Sequence, residues 1–195
     1  MKNDFAVIEG DAEEATEKRN AKEFFDSGEL WRLPAGTVSS LRAIHKSLFS
    51  GVFDFAGEIR RVNVAKGGMR FAPVLYLQET LSEIEKMPMG TFDEAVEKYV
   101  EMNVAHPFRE GNGRSGRIWL DMMLRCGIGR VVNWSRIEKG EYLSAMERSP
   151  VDDRPLKELL FAALTDETDE REVFLRGIDA GFSFEGLSSI RTEDT

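Results

Sequence analysis

The sequence predicts an all-α protein with one small β-hairpin, organised as a single domain over residues 1–195. Apolar residues recur at three- and four-residue spacing in several segments, which is the period of an amphipathic helix. One segment instead alternates on either side of a Gly-Gly pair, as the arms of a hairpin do. The 195 residues include 42% hydrophobic side chains and thirteen Phe, enough for one core.

The composition excludes several classes of protein. A net charge of −9 disfavours nucleic acid as the main ligand, because an acidic surface repels a phosphate polymer, but it allows a small anion in one basic pocket. Cys126 is the only cysteine, so no intramolecular disulfide can form. The N-terminus lacks the apolar stretch of a signal peptide and no run of about eighteen apolar residues occurs. We therefore expect a cytoplasmic protein without a membrane span.

The first predicted helix follows Thr37, a candidate N-cap, and ends before Gly51. Its apolar stripe comprises Val38, Leu41, Ile44 or His45, and Leu48. His45 has no carboxylate or cysteine partner at ligand spacing, and we interpret it as a packed or solvated residue.

The predicted hairpin occupies the next segment. Ile59, Val62 and Val64 alternate before a turn at Lys66, Gly67 and Gly68, and Phe71 continues the second arm. Pro73 should end that arm, because proline cannot donate to a strand ladder.

A second helix should begin after Thr91, which has Glu94 at the spacing of a capping box. It should be largely buried, and a core helix ending near Gly127 should follow it. Two further helical patterns are "EKGEYLSAMER" and "RPLKELLFAAL". A last helix should start at an Asp169 cap and reach about Ala180.

The segment "HPFREGNGRSGR", His106 to Arg117, lies between the two buried helices. Its glycines, Gly111, Gly113 and Gly116, should form a loop with positive φ that lets the backbone approach a ligand. The N-terminus of the next helix adds unpaired N–H groups, and Arg114 and Arg117 project from nearly one face. This pattern predicts a polyphosphate site.

Glu110 in such a site suggests a bridging divalent cation, and Mg²⁺ is the simplest choice. His106 could remove a proton from an incoming hydroxyl near neutral pH. The arrangement favours phosphoryl or nucleotidyl transfer. The alternative is a glycine-rich connection between helices with a capping histidine.

The segment resembles the motif of the Fic family: His, any residue, Phe, any residue, Asp or Glu, Gly-Asn-Gly-Arg, two residues and Arg. The positions filled here are His106, Phe108, Glu110, Gly111, Asn112, Gly113, Arg114 and Arg117. "FAGEIR" and "KGGMRFAP" are similar to the family's flap beside the site. The resemblance covers about residues 41–164 and implies a mainly helical Fic-type core.

Family membership implies transfer of AMP from ATP to a Ser, Thr or Tyr hydroxyl of a target protein. By resemblance, His106 is the base and Glu110 holds Mg²⁺. Nucleotide contacts would come from Gly111, Asn112, Gly113, Arg114, Gly116 and Arg117, with the arginines on the distal phosphates. Phe108 would anchor the loop. The flap residues that would align the target are Lys66, Gly67, Gly68, Met69, Arg70 and Phe71.

The C-terminal segment "GFSFEGL" resembles the family's inhibitory helix, here about residues 169–187. Glu185 and Gly186 match that pattern, and Gly181 stands where the family has Ser or Thr. The resemblance implies that Glu185 pairs with Arg117 and blocks the productive pose of ATP. If the family hydroxyl is a helix cap, glycine replaces it at small cost. Alternatively, Phe182, Phe184 and Leu187 simply dock a helix on the core.

Two sets of alternatives stay open. Lys66, Lys139 and Tyr142 could line the nucleotide site, or Tyr142 could be a core residue. The function could be a non-catalytic ATP-sensing or assembly module, or an AMP-removing phosphodiesterase, instead of a transferase. A homo-oligomer is compatible with every one of these functions.

Overall fold

A computed structural model describes residues 3–66, 69–186 and 191–195, with side chains from residue 10 onward except at 66, 69 and 70. Within them lie eight α-helices: α1 (Asn3–Asp26), α2 (Val38–Phe49), α3 (Val74–Lys86), α4 (Phe92–Ala105), α5 (Asn112–Ile128), α6 (Lys139–Arg148), α7 (Arg154–Ala162) and α8 (Arg171–Glu185). The predicted mainly helical fold is confirmed. None of the described helices combines the length and apolar character needed to cross a bilayer.

Helices α4 and α5 form the central pair, and α2 packs on α5. Helix α1 lies between α2 and α8, so the two ends of the chain meet on one side of α5. The largest fully buried apolar side chains include Phe49, Phe108, Trp119 and Phe182. Phe108 belongs to the connection between α4 and α5, so the motif segment is anchored directly in the core.

Two helix starts follow the expected capping chemistry. The Thr37 hydroxyl accepts a hydrogen bond from the Ser40 N–H at 3.1 Å. Thr91 and Glu94 form both bonds of a capping box at the start of α4. Side-chain oxygens satisfy N–H groups that a helix leaves unpaired, so both helices begin where the sequence predicts.

The start predicted for the last helix is wrong. The N-cap of α8 is Glu170, not Asp169. The Asp169 carboxylate instead accepts a hydrogen bond from Arg125 at 2.5 Å. The helix also continues to Glu185 rather than ending near Ala180. These additional residues carry Phe182, Phe184 and Glu185 to the motif segment.

The hairpin is present with shorter arms than predicted. Strands β1 (Ala65–Lys66) and β2 (Met69–Arg70) pair antiparallel, with Ala65 opposite Arg70. Ile59 and Val62 precede the strands as irregular chain. Gly67 and Gly68 lie outside the described residues. Pro73 ends the extended segment as expected, and it is also the N-cap of α3.

Three elements were not predicted: α1, α3 and a second small antiparallel sheet. In that sheet, β3 (Val131–Val132) pairs with β4 (Leu164–Thr165) and joins the end of α5 to the end of α7. Helix α3 buries Leu77, Leu81 and Ile84 on one face.

Candidate active site

The motif segment leaves α4 at His106, which has a left-handed backbone with φ 50° and ψ 64°. Such a conformation is uncommon outside glycine and asparagine. Asn112 closes the following loop, because its side-chain oxygen accepts from the Phe108 N–H at 2.9 Å and its amide donates to the Phe108 carbonyl at 3.0 Å. Both polar groups of the Asn112 side chain are hydrogen-bonded within the loop. A phosphate could therefore be bound by the Asn112 backbone N–H rather than by its side chain.

The three motif glycines differ in role. Gly111 has φ 78°, and a Cβ there would lie 2.3 Å from the Phe49 ring, so the loop needs glycine at this position. Helix α5 already begins at Asn112, which places Gly113 and Gly116 in helical backbone. The prediction of positive φ at those two positions is therefore wrong. Gly116 instead allows α5 to approach α4 closely, because a Cβ there would lie 3.3 Å from the Tyr99 ring.

His45 supports the loop from α2. Its Nδ1 accepts from the Gly57 N–H at 2.9 Å, so the Nε2–H donates to the Glu110 carbonyl at 2.9 Å. The ring is fully buried and stacks on Phe108 with centroids 3.8 Å apart. Burial lowers the pKa of His45 to about 4, which keeps the ring neutral. The interpretation of His45 as a packed residue is supported, and the ring also holds the loop through the Glu110 carbonyl.

Arg60, a residue that the sequence analysis missed, positions His106. Its guanidinium is 3% exposed and donates to four backbone carbonyls: His106 at 2.7 Å, Ala72 at 2.5 Å, Val62 at 2.8 Å and Ala105 at 3.1 Å. These bonds join the end of α4 to both sides of the hairpin. The His106 ring stacks on Phe71 with centroids 3.6 Å apart.

Replacing Arg60 with methionine should lower the free energy of unfolding by about 3 kcal/mol, because four backbone carbonyls lose the charged donor that a buried side chain supplies. Arg61, an exposed neighbour, provides the matched control, and Arg61→Met should change stability by less than about 0.5 kcal/mol. Urea unfolding followed by circular dichroism measures both. Equal stability of the two variants would contradict the bracing role.

Glu110 is the candidate metal ligand. Its side chain is 50% exposed, and one carboxylate oxygen accepts from the Gly111 N–H at 3.0 Å. Among the described residues, no group of three His, Cys, Asp or Glu side chains could hold a metal. A single accessible carboxylate fits Mg²⁺, which commonly takes its remaining ligands from water and substrate phosphates.

The arginine pair lies on the first turns of α5, as the spacing predicts. Arg114 is 8% exposed and Arg117 is 5% exposed. Glu185 contacts both: its carboxylate oxygens lie 2.9 Å from Arg114 Nε and 3.6 Å from Arg117 Nη2. The expected pairing with Arg117 is therefore present, and the shorter contact is to Arg114.

Two aromatic side chains of α8 flank these cations. Arg114 lies 5.2 Å from the Phe182 ring centroid, and Arg117 lies 5.4 Å from that of Phe184. Both rings are buried. The expected docking of α8 through these two residues is thus seen, while Leu187 lies outside the described part of the chain.

Gly181 lies inside α8 rather than at a cap, so the cap interpretation is wrong. A Cβ at Gly181 would lie 2.7 Å from Arg117 Nη2. Glycine therefore makes room for the buried guanidinium, and a side chain here would have to push it aside.

Glu17 on α1 is a second residue that the sequence analysis missed. It is 3% exposed and forms an ion pair with Arg114. Burial raises the pKa of Glu17 to about 8, although the nearby Arg114 cation lowers it. No motif marks this residue, since it lies far from the Fic motif in sequence.

The remaining predicted residues are placed as follows. Tyr142 is 3% exposed, stacks on Phe184 and shares a 2.6 Å hydrogen bond with the Tyr99 hydroxyl, which favours core packing over a nucleotide contact. Lys139 begins α6, and its Nζ is near Gly186, the left-handed C-cap of α8. Of the flap, the side chains of Lys66, Met69 and Arg70, as well as Gly67 and Gly68, lie outside the described part.

Comparisons with known proteins agree with the motif. The model of the Fic/DOC family matches residues 36–124. "Probable protein adenylyltransferase y4lH" of Sinorhizobium fredii is 31% identical over an alignment of 139 residues, with 64% of this chain and 72% of that protein covered. "Probable protein adenylyltransferase Fic" of Escherichia coli is 29% identical over an alignment of 143 residues, with 68% of this chain and 71% of that protein covered.

The fold is shared with solved Fic structures. BepC from Bartonella tribocorum, with bound AMPPNP, has a TM-score of 0.63 at 21% identity, covering 77% of this chain and 86% of that chain. The N-terminal Fic domain of a Bartonella quintana effector, with bound ADP, has a TM-score of 0.63 at 22% identity, covering 77% and 81%. Because the relative from S. fredii is matched over most of its length and the motif is complete, this chain belongs to the Fic/DOC family.

Proposed function

We propose that the protein is a Mg²⁺-dependent protein adenylyltransferase that transfers AMP from ATP to a Ser, Thr or Tyr hydroxyl of another protein. The observation that carries this proposal is the placement of a braced histidine, His106, at one end of a loop whose other end presents a helix N-terminus and two arginines. Relatives named protein adenylyltransferases support it. The AMPPNP bound to BepC supports the nucleotide class.

In the proposed reaction, the target hydroxyl oxygen attacks the α-phosphorus of ATP. The bond from the α-phosphorus to the bridging oxygen breaks, and pyrophosphate leaves with that oxygen. His106 takes the hydroxyl proton as the new bond forms. The hydroxyl is a poor nucleophile until its proton is removed, so a base is required at this position.

The first-turn N–H groups of α5 would hold the α- and β-phosphates, because a helix leaves these donors unpaired and places its positive dipole end there. Gly111 lets the backbone turn into this helix. Arg114 and Arg117 would bind the distal phosphates. Glu110 would hold Mg²⁺, which supplies charge neutralisation between the phosphates. Phosphate transfer depends chiefly on this positioning and charge stabilisation.

We further propose that Glu185 inhibits this activity from the end of α8. Its carboxylate lies against both guanidinium groups, 2.9 Å from Arg114 Nε and 3.6 Å from Arg117 Nη2, as ion pairs without hydrogen-bond geometry. Opposite charges that are largely shielded from water attract more strongly than exposed ones, so ATP would have to displace Glu185 to bind productively. Residues 1–195 would then act as one Fic domain, with a core at about residues 41–164 and a regulatory helix at about 169–187.

The experiment uses purified protein, the Glu185→Gln variant, Mg²⁺ and bacterial lysate. ATP labelled at the α-phosphate should label one or more proteins, and ATP labelled at the γ-phosphate should label none. Removal of Mg²⁺ with a chelator should abolish labelling. Absence of α-label on every protein, including the enzyme, in both forms would refute the transferase and favour a nucleotide-sensing module.

A further inference from the structure

The guanidinium of Arg114 is contacted by carboxylates from three directions. Glu17 on α1 pairs with its Nη1, and Glu185 on α8 lies 2.9 Å from its Nε. Glu110 is 3.8 Å from its Nη2. Glu17 and Glu185 thus contact different nitrogens of one arginine. Glu185 can therefore move away from Arg114 while Glu17 stays paired with it.

Glu17 and Glu185, the two nearest carboxylate partners of Arg114, differ in how firmly they are held. Glu185 is the last residue of α8, and its side chain is 17% exposed. Glu17 lies within the 24-residue helix α1, and its side chain is 4% exposed. A residue at a helix end is released by local fraying, whereas Glu17 can move only with α1.

Helix α1 is itself fixed beside the site. Lys18, next to Glu17, is 1% exposed and lies 2.8 Å from Glu14 and 3.1 Å from Asp179 of α8. The Asp179 carboxylate also accepts from the N–H and hydroxyl of Thr192, at 2.9 and 2.7 Å. This buried network holds Glu17 against Arg114 independently of Glu185.

The charges around the arginines are unfavourable for ATP even without Glu185. Among the described residues, Glu17, Glu110 and Glu185 all pair with Arg114, and Glu185 also pairs with Arg117. When Glu185 is displaced and Glu110 holds Mg²⁺, an ionised Glu17 still offsets the charge of Arg114. A triphosphate would therefore meet one effective cation where the motif places two arginines.

We propose that Glu17 is a positioning residue of the nucleotide site: through Arg114 it lowers the affinity for the distal phosphates of ATP, so that α1 as well as α8 sets the KM for ATP. The inference rests on the proposed function of the motif segment, and it extends control of that site to a helix outside the region matched by the family model.

The ionisation of Glu17 gives this role a pH signature. The charged groups that act on it are Glu14 on α1, Arg114 and Arg117 on α5, and Glu185 on α8. Burial raises its pKa to about 8, and Glu185 and Glu14 add to the rise. Below its pKa the carboxyl is neutral and Arg114 keeps its full charge. The KM for ATP should therefore rise as the pH increases through this range.

The test compares Glu17→Gln and Glu13→Gln, each in the Glu185→Gln background. Glutamine keeps a hydrogen-bond acceptor and removes the charge, and Glu13 is an exposed carboxylate on the same helix. At about pH 9, where Glu17 is ionised, Glu17→Gln should lower the KM for ATP by roughly fivefold, the lower end of the coupling typical between two sites. It should leave kcat within about twofold and abolish the rise of KM with pH. Glu13→Gln should leave KM within about twofold of the background.

An unchanged or increased KM in the Glu17→Gln variant at about pH 9 would overturn the inference. If the Glu185→Gln background itself transfers no AMP, the proposed function fails, and calorimetric titration of the single variants with ATP and Mg²⁺ at the same pH still tests the inference. Tighter ATP binding by Glu17→Gln than by Glu13→Gln and the wild type would support it. Equal or weaker binding would end it. The single variants also serve if the double variant fails to fold.

Discussion

Replacing His106 with alanine should lower AMP incorporation into protein by roughly 10²- to 10⁴-fold, the usual contribution of a positioned general base. The loss should appear in kcat, because in the proposed reaction the imidazole would contact the attacking hydroxyl and would not be needed to hold the distal phosphates. Steady-state labelling with α-labelled ATP measures the effect, and calorimetry should give an ATP dissociation constant within about twofold of the parent.

A second variant separates the chemistry of His106 from its backbone. The residue has a left-handed conformation, which asparagine adopts more readily than most residues. His106→Asn should therefore keep the end of α4 and the loop intact while losing the base, and it should be as inactive as the alanine variant. Activity within tenfold of the parent in His106→Asn would exclude His106 as the base.

Replacing Glu185 with glutamine should raise the rate of AMP transfer by roughly 5- to 150-fold, the range typical of coupling between two sites. The neutral side chain keeps the shape of the α8 end but no longer competes with phosphates for Arg114 and Arg117. The gain should come mainly from tighter productive ATP binding at subsaturating ATP. Initial rates over a range of ATP concentrations would show this.

The matched control for Glu185 lies at the other end of the same helix. Glu172 forms a surface ion pair with Arg176, and its side chain is 72% exposed. Glu172→Gln removes one charge from α8 without touching the arginine pair, so its rate should stay within about twofold of the wild type. Equal rates for Glu172→Gln and Glu185→Gln would contradict inhibition by the α8 end.

Much of the fold could be predicted where local chemistry and apolar periodicity agree. Thr37 and the Thr91–Glu94 pair cap helices as expected, and apolar stripes follow both caps. Helix α1 was missed because its buried stripe is partly charged: Glu14, Glu17, Lys18, Ala21 and Phe24 face the protein. An apolar pattern cannot show such a face, although the Ala-, Glu- and Lys-rich composition favours a helix.

The candidate site was predictable to the extent that it is local in sequence. His106, Glu110, Arg114 and Arg117 are close together because twelve consecutive residues carry them. Arg60 and Glu17 are brought to the motif segment by tertiary packing. A single sequence does not show such contacts. Gly181 was misinterpreted for the same reason, since only the packed structure shows Arg117 against it.

We infer that the turn between α4 and α5 binds a triphosphate on the arginines that Glu185 contacts in this structure. A crystal structure of Glu185→Gln with Mg²⁺ and a non-hydrolysable ATP analogue would locate the nucleotide. We expect distal phosphates on Arg114 and Arg117, the metal at Glu110 and the α-phosphate beside His106. A nucleotide bound elsewhere, or phosphates turned away from both arginines, would contradict it.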